Sequence, residues 1–385
     1  MRDKEKGQRE EVKKRRPHVL IYIAVLLVVL GAVVFAAYRD GTGFDVLRRY
    51  LAYGKAEEAT GVLEYEYDSS SEQRFAMLGD ALVVLSKTSL TVLNGQGGEI
   101  WATGLKMEHP ALHVGGGRAV CYDVGGTDLF VVDDLGKVWS YTADAEEPII
   151  SARLNKAGWL AVTAGLKNHK AGVTVYNAEM EECFLFRSSR RFVTESYVTD
   201  DCRRLAAVTL GQEDSVFVSN VVLYNLNEEE AFANYSISDG LVAAMGQDGN
   251  LIAVCDTGLT VAGTNGERKA TYSYDDHHLR EYTLGGSGFT ALLLNRYTSG
   301  SVGRLVTVNS DGEELGSLDI HEEVLHISAA GRYLAVLYAD RLVVYNPDLQ
   351  TYAVLNGTDY ARSVLMRSDG SAVLLGSEQA KFFLP

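Results

Sequence analysis

Two hydrophobic patterns divide this chain. From Val19 to Tyr38 each of 20 consecutive positions is apolar, Gly or Tyr. As a helix rising about 1.5 Å per residue, that run matches the roughly 30 Å of a bilayer core. From about residue 62 the pattern changes to short apolar stretches, often alternating with polar residues and punctuated by Gly, Asn and Asp. That is the period-two pattern of strands joined by tight turns, and no 3.6-residue periodicity competes with it.

One segment of this second region recurs: a turn residue, usually Gly, then an apolar strand. It begins at Gly79, Gly117, Gly158, Arg203, Gly249, Gly288, Gly331 and Gly370, at intervals of 38 to 46 residues. Each unit supplies a further strand ending in a turn residue, as in Val173-Thr174-Val175-Tyr176-Asn177 and Leu342-Val343-Val344-Tyr345-Asn346. A repeat of about 40–45 residues holding four short strands specifies a β-propeller blade. The expected fold is therefore all-β, an eight-bladed propeller over residues 61–385. A sandwich array would need about 100 residues per period.

Closure of the ring is legible too. The eighth unit holds only three strands, Ser363 to Met366, Ala372 to Leu375 and Lys381 to Leu384. An orphan alternating strand, Val62 to Tyr67, precedes the first unit and can supply the fourth, removing the open sheet edges. Between the apolar run and the propeller, Phe44, Leu47 and Leu51 share one helical face and Gly54 is a candidate C-cap, so Phe44 to Tyr53 is expected as a short helix.

Charge fixes the expected placement. Eight basic residues precede the apolar run, ending in Lys13-Lys14-Arg15-Arg16, with four acidic ones among them. The basic excess stays cytoplasmic, so residues 1–18 are expected inside, 19–38 across the membrane, 39–60 as a juxtamembrane linker and the propeller outside. The competing reading, a cleaved signal peptide ending at Val34-Phe35-Ala36, asks for a shorter apolar core of about 7–15 residues. With the first cysteine at Cys121, a lipid-attached cysteine is excluded. Beyond residue 17 the chain carries 28 Lys+Arg against 47 Asp+Glu, a net −19. That argues against nucleic acid and against anionic membrane surfaces as general partners.

Four cysteines are too few for a disulfide scaffold. Cys121 and Cys255 lie within apolar strand patterns and read as buried small hydrophobes. Cys183 and Cys202 sit near turns of neighbouring units, and whether they pair stays open.

Two strand ends, Asn94-Gly95-Gln96-Gly97-Gly98-Glu99-Ile100-Trp101 and Asp133-Asp134-Leu135-Gly136-Lys137-Val138-Trp139, resemble the quinoprotein-type propeller repeat, in which a turn Gly precedes a docking Trp. Elsewhere Phe184, Tyr235, Tyr272 or Leu318 stands near that place, and WD40 dipeptides are missing. The whole layout resembles a bacterial family of single-anchor extracytoplasmic propellers, a domain of unknown function. That resemblance implies an envelope protein and supplies no activity. The layout is also similar to the periplasmic propeller that helps assemble outer-membrane barrels, which carries a lipid-attached cysteine that this chain lacks.

Chemistry is sparse. His321-Glu322-Glu323-Val324-Leu325-His326 puts its second His at i+5, whereas a zinc protease helix needs i+4. Asp275-Asp276-His277-His278 gathers metal-ligand types in one loop, and His109 with His113 shares a strand face without a carboxylate companion. Gly115-Gly116-Gly117 and Gly285-Gly286-Ser287-Gly288 read as hairpin turns, since no helix follows them. No catalytic, cofactor or metal residue is nominated, and no cofactor is expected.

Loop length is more informative. In a blade with strands A to D, the A–B and C–D turns lie on one face and the B–C and D–A connections on the other. The longer stretches, Thr163 to Ala171, Arg187 to Glu195, Leu210 to Ser219, Tyr274 to His278 and Asn295 to Val302, all fall on the second face. Function usually lives in such loops. They are expected to gather Lys167, His169, Lys170, Arg190 and Arg191 into a basic cluster, with Asp275, Asp276, His277, His278, Arg296 and Tyr297 completing the candidate surface. The tether is expected to enter at the opposite face. The leading functional reading is a non-catalytic anchored propeller presenting this face to a protein or envelope component. A carbohydrate- or small-ligand-binding propeller with hydrolase or lyase activity is the alternative. A quinone-cofactor dehydrogenase is disfavoured by the short blades. The central channel discriminates: a deep polar pocket with converged carboxylates or His favours an enzyme, and a channel filled by apolar side chains favours a scaffold.

Overall fold

The structure, a computed structural model, describes residues 22–23, 25–31, 64–67, 73–213, 216–228, 230–237 and 241–385. The chain divides into two compact units, Met1–Lys55 and Ala56–Pro385. In the first, residues 22–23 and 25–31 are helical. Among the described residues no helix is long and apolar enough to cross a membrane. Most of the expected span and all of the expected Phe44 to Tyr53 helix lie outside them.

In the second unit, among the described residues, 32 strands form eight four-stranded sheets. Seven sheets use four consecutive strands, here A to D. In blade 1 these are Arg74–Leu78, Ala81–Leu85, Ser89–Leu93 and Glu99–Gly104. The A strands of successive blades are Arg74–Leu78, Pro110–Gly115, Ile149–Leu154, Phe192–Val198, Val242–Asp248, His278–Thr283, Val324–Ala330 and Ser363–Met366. They touch one another around the ring, which makes A the innermost strand.

Burial follows from this packing. Strands B and C lie between two neighbouring blades and read as unbroken apolar runs, because both of their faces are covered. Phe289–Asn295 is buried at every position. Its alternate residues serve different interfaces: Phe289, Ala291 and Leu293 pack with Leu334 and Val336 of blade 7, whereas Leu292 and Leu294 pack with Ile252 and Val254 of blade 5. Each such leucine contributes about 1.5–3 kcal/mol by burial. The D strands alternate between exposed and half-buried, as Glu314–Ile320 does, because only one side of that edge is packed.

The A–B turns carry the repeating glycine for a conformational reason. Gly158 has φ 79° and closes its turn by donating to the Asn155 carbonyl at 3.1 Å. In blade 4 the equivalent residue is Cys202, at φ 57° with its N–H 2.8 Å from the Thr199 carbonyl, one position before the Arg203 that spacing indicates.

Two further readings are corrected by the register. First, Thr163 to Ala171 is no long loop: strand B runs to Leu166, strand C starts at His169, and two residues turn the hairpin. Likewise Leu210 to Ser219 belongs to a long hairpin, Arg204–Glu213 paired with Val216–Asn225. Second, strand D in each of the blades 1 to 7 bulges just inside the C–D turn. The residue in Trp101's register is Trp139, then Phe184, Ala233, Ala270, Gly316 and Ala353. Tyr235, Tyr272 and Leu318 stand two residues further along the same face.

Ring closure is as the sequence indicates. Glu64–Glu66 pairs antiparallel with Gln379–Phe383, Tyr65 opposite Ala380, and becomes strand D of blade 8. Residues 61–63 lie outside the described residues. Tyr65 is 1% exposed, and its hydroxyl donates to the Asp80 carbonyl of blade 1 at 3.4 Å. Tyr67 donates to the carbonyls of Gly376 and Gln379 at 2.9 and 3.0 Å. An ion pair from Arg367 to Asp80 adds a second link across the seam. Tyr65→Ala is therefore expected to lower the unfolding free energy by about 3–5 kcal/mol, as for other large buried aromatics. Chemical denaturation of the propeller checks this, and an unchanged midpoint would show that the strand does not hold the seam.

Candidate functional site

The channel side of each A strand has no ladder partner in its own blade, so its N–H groups need acceptors from elsewhere. For the A strands of blades 3, 7 and 8 the preceding blade supplies them. His113 Nδ1 accepts from the Leu154 N–H at 3.2 Å. Glu281 Oε1 accepts from Ile327 at 3.1 Å and Thr283 Oγ1 from Ala329 at 3.2 Å. His326 Nδ1 accepts from Val364 at 3.5 Å and Ser328 Oγ from Met366 at 3.0 Å. Between blades 3 and 4 the link is side chain to side chain. Arg153 Nε and Nη2 donate to Glu195 Oε1 and Oε2 at 2.6 and 3.0 Å. Thr163 and Ser196 hydroxyls meet at 2.7 Å.

Electrostatics match these roles. Burial, then the Arg153 charge, hold His113 well below the usual imidazole range, so it stays neutral and Nδ1 can accept from Leu154. Burial opposes the Arg153 charge, but attraction and hydrogen bonding to Glu195, with Tyr122 and Tyr282 nearby, outweigh it and raise its pKa. Burial pushes Glu281 up to about 7 and lowers His326, whose Nε2 is 3.5 Å from Glu281 Oε1. The channel-side Arg153, Glu195, Glu281 and His326 are each engaged by an adjacent blade.

The B–C/D–A face holds the more open site. A cavity of about 500 Å³ is lined by Arg280, Asn295, Thr298, Ser299, Gly300, Ser301 and Glu323. Strand A of blade 6 delivers Arg280, which sits in a bulge between Leu279 and Glu281. A bulge re-aims a side chain. Here Arg280 Nη2 reaches the Val324 carbonyl of blade 7 at 2.8 Å. Asn295 ends strand B, is buried, and donates from Nδ2 to the Gly300 carbonyl at 3.1 Å, pinning the loop. Arg296 N–H closes the loop base on the Val302 carbonyl at 2.9 Å. Gly303 reopens the strand where an added Cβ would lie 2.0 Å from the Leu294 carbonyl oxygen.

The sequence-nominated residues are distributed as follows. Arg296 and Tyr297 lie on this loop, the guanidinium 5.7 Å from the ring centre and the ring 60% exposed. Asp275 to His277 form the tight turn before strand A of blade 6, with Asp275 at φ 53°, and His278 starts that strand opposite Asn295. The basic group divides. Lys167 pairs with Glu146 at 2.7 Å, and His169 Nδ1 lies 3.2 Å from the Lys167 carbonyl. Lys170 sits 5.0 Å over the Phe192 ring. Arg191 Nη1 donates to Asn220 Oδ1 at 2.8 Å. Arg190 is exposed. The structure thus brings Lys170, Arg191 and Phe192 together and sends Lys167 elsewhere. Phe192 and Phe217 are both exposed on blade 4.

The remaining motifs are structural. His326 is a channel residue of blade 7 and His321 lies in the connection before it. His109 is exposed, away from channel-lining His113. Among the described residues no group of three or more His, Cys, Asp or Glu is placed to hold a metal ion. All four cysteines are free. Sequence reading missed Arg280, Glu323 and the Arg153–Glu195 pair. Only the broken alternation around Leu279-Arg280-Glu281 hinted at the first.

The family described as "Family of unknown function (DUF5711)" matches residues 53–350, and the chain belongs to it. No curated protein matches by sequence. Several solved propellers share the fold. BamB from Moraxella catarrhalis is 13% identical, with TM-score 0.53 over 84% of this chain and 99% of that one. The C-terminal WD40 domain of Sif2 is 12% identical, with TM-score 0.57 over 84% and 98%. Quinohemoprotein alcohol dehydrogenase ADHIIG from Pseudomonas putida HK5 is 11% identical, with TM-score 0.56 over 84% and 75%.

Glu281 makes the channel pH-dependent. Between its ordinary value of 4.5 and about 7 the folded protein keeps a proton that the unfolded chain has released, so this group lowers stability as pH rises. His326, held below its ordinary 6.5, acts with the opposite sign. Comparing Glu281→Gln with wild type isolates the carboxyl. The variant is expected near wild type at pH 5 and more stable at pH 8 by about 1–3 kcal/mol. Denaturant titrations at both pH values check this; an equal difference at both removes Glu281 as the titrating group.

Proposed function

We propose that this member of the DUF5711 family is a membrane-anchored extracytoplasmic scaffold, binding a protein or cell-envelope partner through its B–C/D–A face without a reaction of its own. The observation that carries this reading is the use of the channel. Its Arg153, Glu195, Glu281, His326 and His113 are engaged in bonds between blades, whereas a propeller enzyme needs such groups free to meet substrate. Departures from the repeat are instead concentrated at the rim: the long blade 4 hairpin with exposed Phe192 and Phe217, and the blade 6 loop. Exposed aromatics beside cations suit an interface anchor. Lys170 and Arg190 favour a locally anionic protein or envelope partner, while the net −19 of the chain beyond residue 17 argues against nucleic acid.

The anchor rests on the apolar run Val19 to Tyr38 behind Lys13 to Arg16. In this reading residues 1–18 are cytoplasmic and the propeller outside. The small-ligand alternative is favoured by the blade 6 cavity. Protease added to intact cells or protoplasts is expected to digest the propeller and spare the first 16 residues; protection of the C-terminal bulk would reverse the topology. Lys170→Glu with Arg190→Glu is expected to cut partner capture from detergent-solubilised membranes several-fold, more at low than at high salt, with folding intact because both side chains are solvated. Capture indifferent to both changes would move the interface away from blade 4.

A further inference from the structure

Blade 6 breaks the repeat twice in one place. Five A strands carry the same bulge, and the bulged residues are Ile150, Thr194, Ala243, Arg280 and Leu325. Only blade 6 puts a charge there. Its B–C connection, residues 296–302, is seven residues long, where blades 3 and 7 turn at 167–168 and 339–340. Both exceptions border the same cavity of about 500 Å³. Neither is needed to close a blade, since the other blades close without them.

We infer that this cavity binds a neutral saccharide. Its lining holds no aliphatic or aromatic residue, so an apolar ligand has nothing to bury against. It holds one guanidinium and one carboxylate, Arg280 and Glu323, so the site offers no net charge to select a strongly charged ligand. The remaining wall is the Asn295 amide, the hydroxyls of Thr298, Ser299 and Ser301, and the Gly300 backbone. The wall therefore offers both donors and acceptors, and a sugar hydroxyl is both. The guanidinium and the carboxylate each present two parallel positions, which match vicinal hydroxyl pairs. Tyr297, next to Thr298 and 60% exposed, lies beside the Arg296 guanidinium and outside the lining. The volume lies within the usual range of roughly 300–1,000 Å³ for small-ligand sites. Asn295 holds the loop from beneath, so the site is formed before ligand arrives.

This inference goes beyond the scaffold reading and is tested without any protein partner. The detergent-solubilised full chain is titrated with cellobiose, maltose, chitobiose and their trimers by saturation-transfer NMR and calorimetry, with a galacturonic acid trimer as anionic control. At least one neutral sugar is expected to bind, and its affinity to fall tenfold or more in Glu323→Gln and in Ser301→Ala. Glu323 is exposed and Ser301 half-buried on a surface loop, so the variants fold; Arg280→Gln, which also loses the Val324 contact, is the stronger but less clean change. No binding by any neutral sugar, binding by the anionic control alone, or affinity unchanged in all the variants would each overturn it.

Discussion

Everything in this ring depends on the unpaired inner edge of its A strands. A propeller covers both faces of each sheet by stacking neighbours, and its outer edges meet water, but the inner edges face one another across a narrow channel. Backbone N–H groups there must find acceptors or cost about 1–3 kcal/mol each. The solution is to lend a side chain to the next blade. His113 reaches Leu154, Glu281 reaches Ile327 and His326 reaches Val364, separated by 41, 46 and 38 residues. These separations are one repeat each. The repeat length is thus also the length of the bond that closes the channel, and Arg153–Glu195, at 42 residues, obeys it as an ion pair.

Further out the blades meet by complementary volume. Where strand D offers Trp101, the next blade's turn presents Gly136, whose added Cβ would stand 3.1 Å from the Trp101 Cβ. Where strand D offers Ala233 or Ala270, the turn glycine moves in, and a Cβ on Gly266 or Gly312 would come within 2.3 or 2.7 Å of the alanine methyl. Large residue with glycine at tight contact, or small residue with glycine still closer, fills the same space. This is why the docking aromatic fades from Trp to Ala around the ring while the blades stay packed.

What the sequence revealed follows from the same physics. Strands B and C, buried on both faces, must be apolar, and their turns must reach positive φ, so blade number, blade order and the closing strand near Tyr65 were legible. Polar residues were harder. Lys167 to Lys170 read as a loop because a strand that outruns its neighbours is no longer buried; only the ladder opposite Leu166 shows that it continues. Docking positions slipped by two residues because the bulge inside each C–D turn leaves no trace in alternation. The channel groups were legible only in part: His113 and His326 stand out as histidines, but nothing local marks Arg153, Glu195 or Glu281, whose partners lie one repeat away. A basic cluster inferred from loop neighbours survived only in part, since Lys167 found Glu146 nearer than Lys170.

A closed repeat also gives a rule for where function can sit. The positions that all blades share are fixed by closure, and a change there is felt by two neighbours. Positions where one blade departs are free of that duty. Arg153 and Glu195 look functional by charge and burial, yet each completes the other between blades 3 and 4. Arg280 looks ordinary, exposed on a strand, yet it stands at a bulge that blades 3, 5 and 7 fill with Ile150, Ala243 and Leu325. Blades 3, 5 and 7 close without a guanidinium there, so the bond from Arg280 to the Val324 carbonyl of blade 7 does not by itself account for it. The polar seven-residue loop above it is unexplained on the same ground. Two independent departures that border one cavity are better accounted for by a shared ligand than by the architecture, which requires neither.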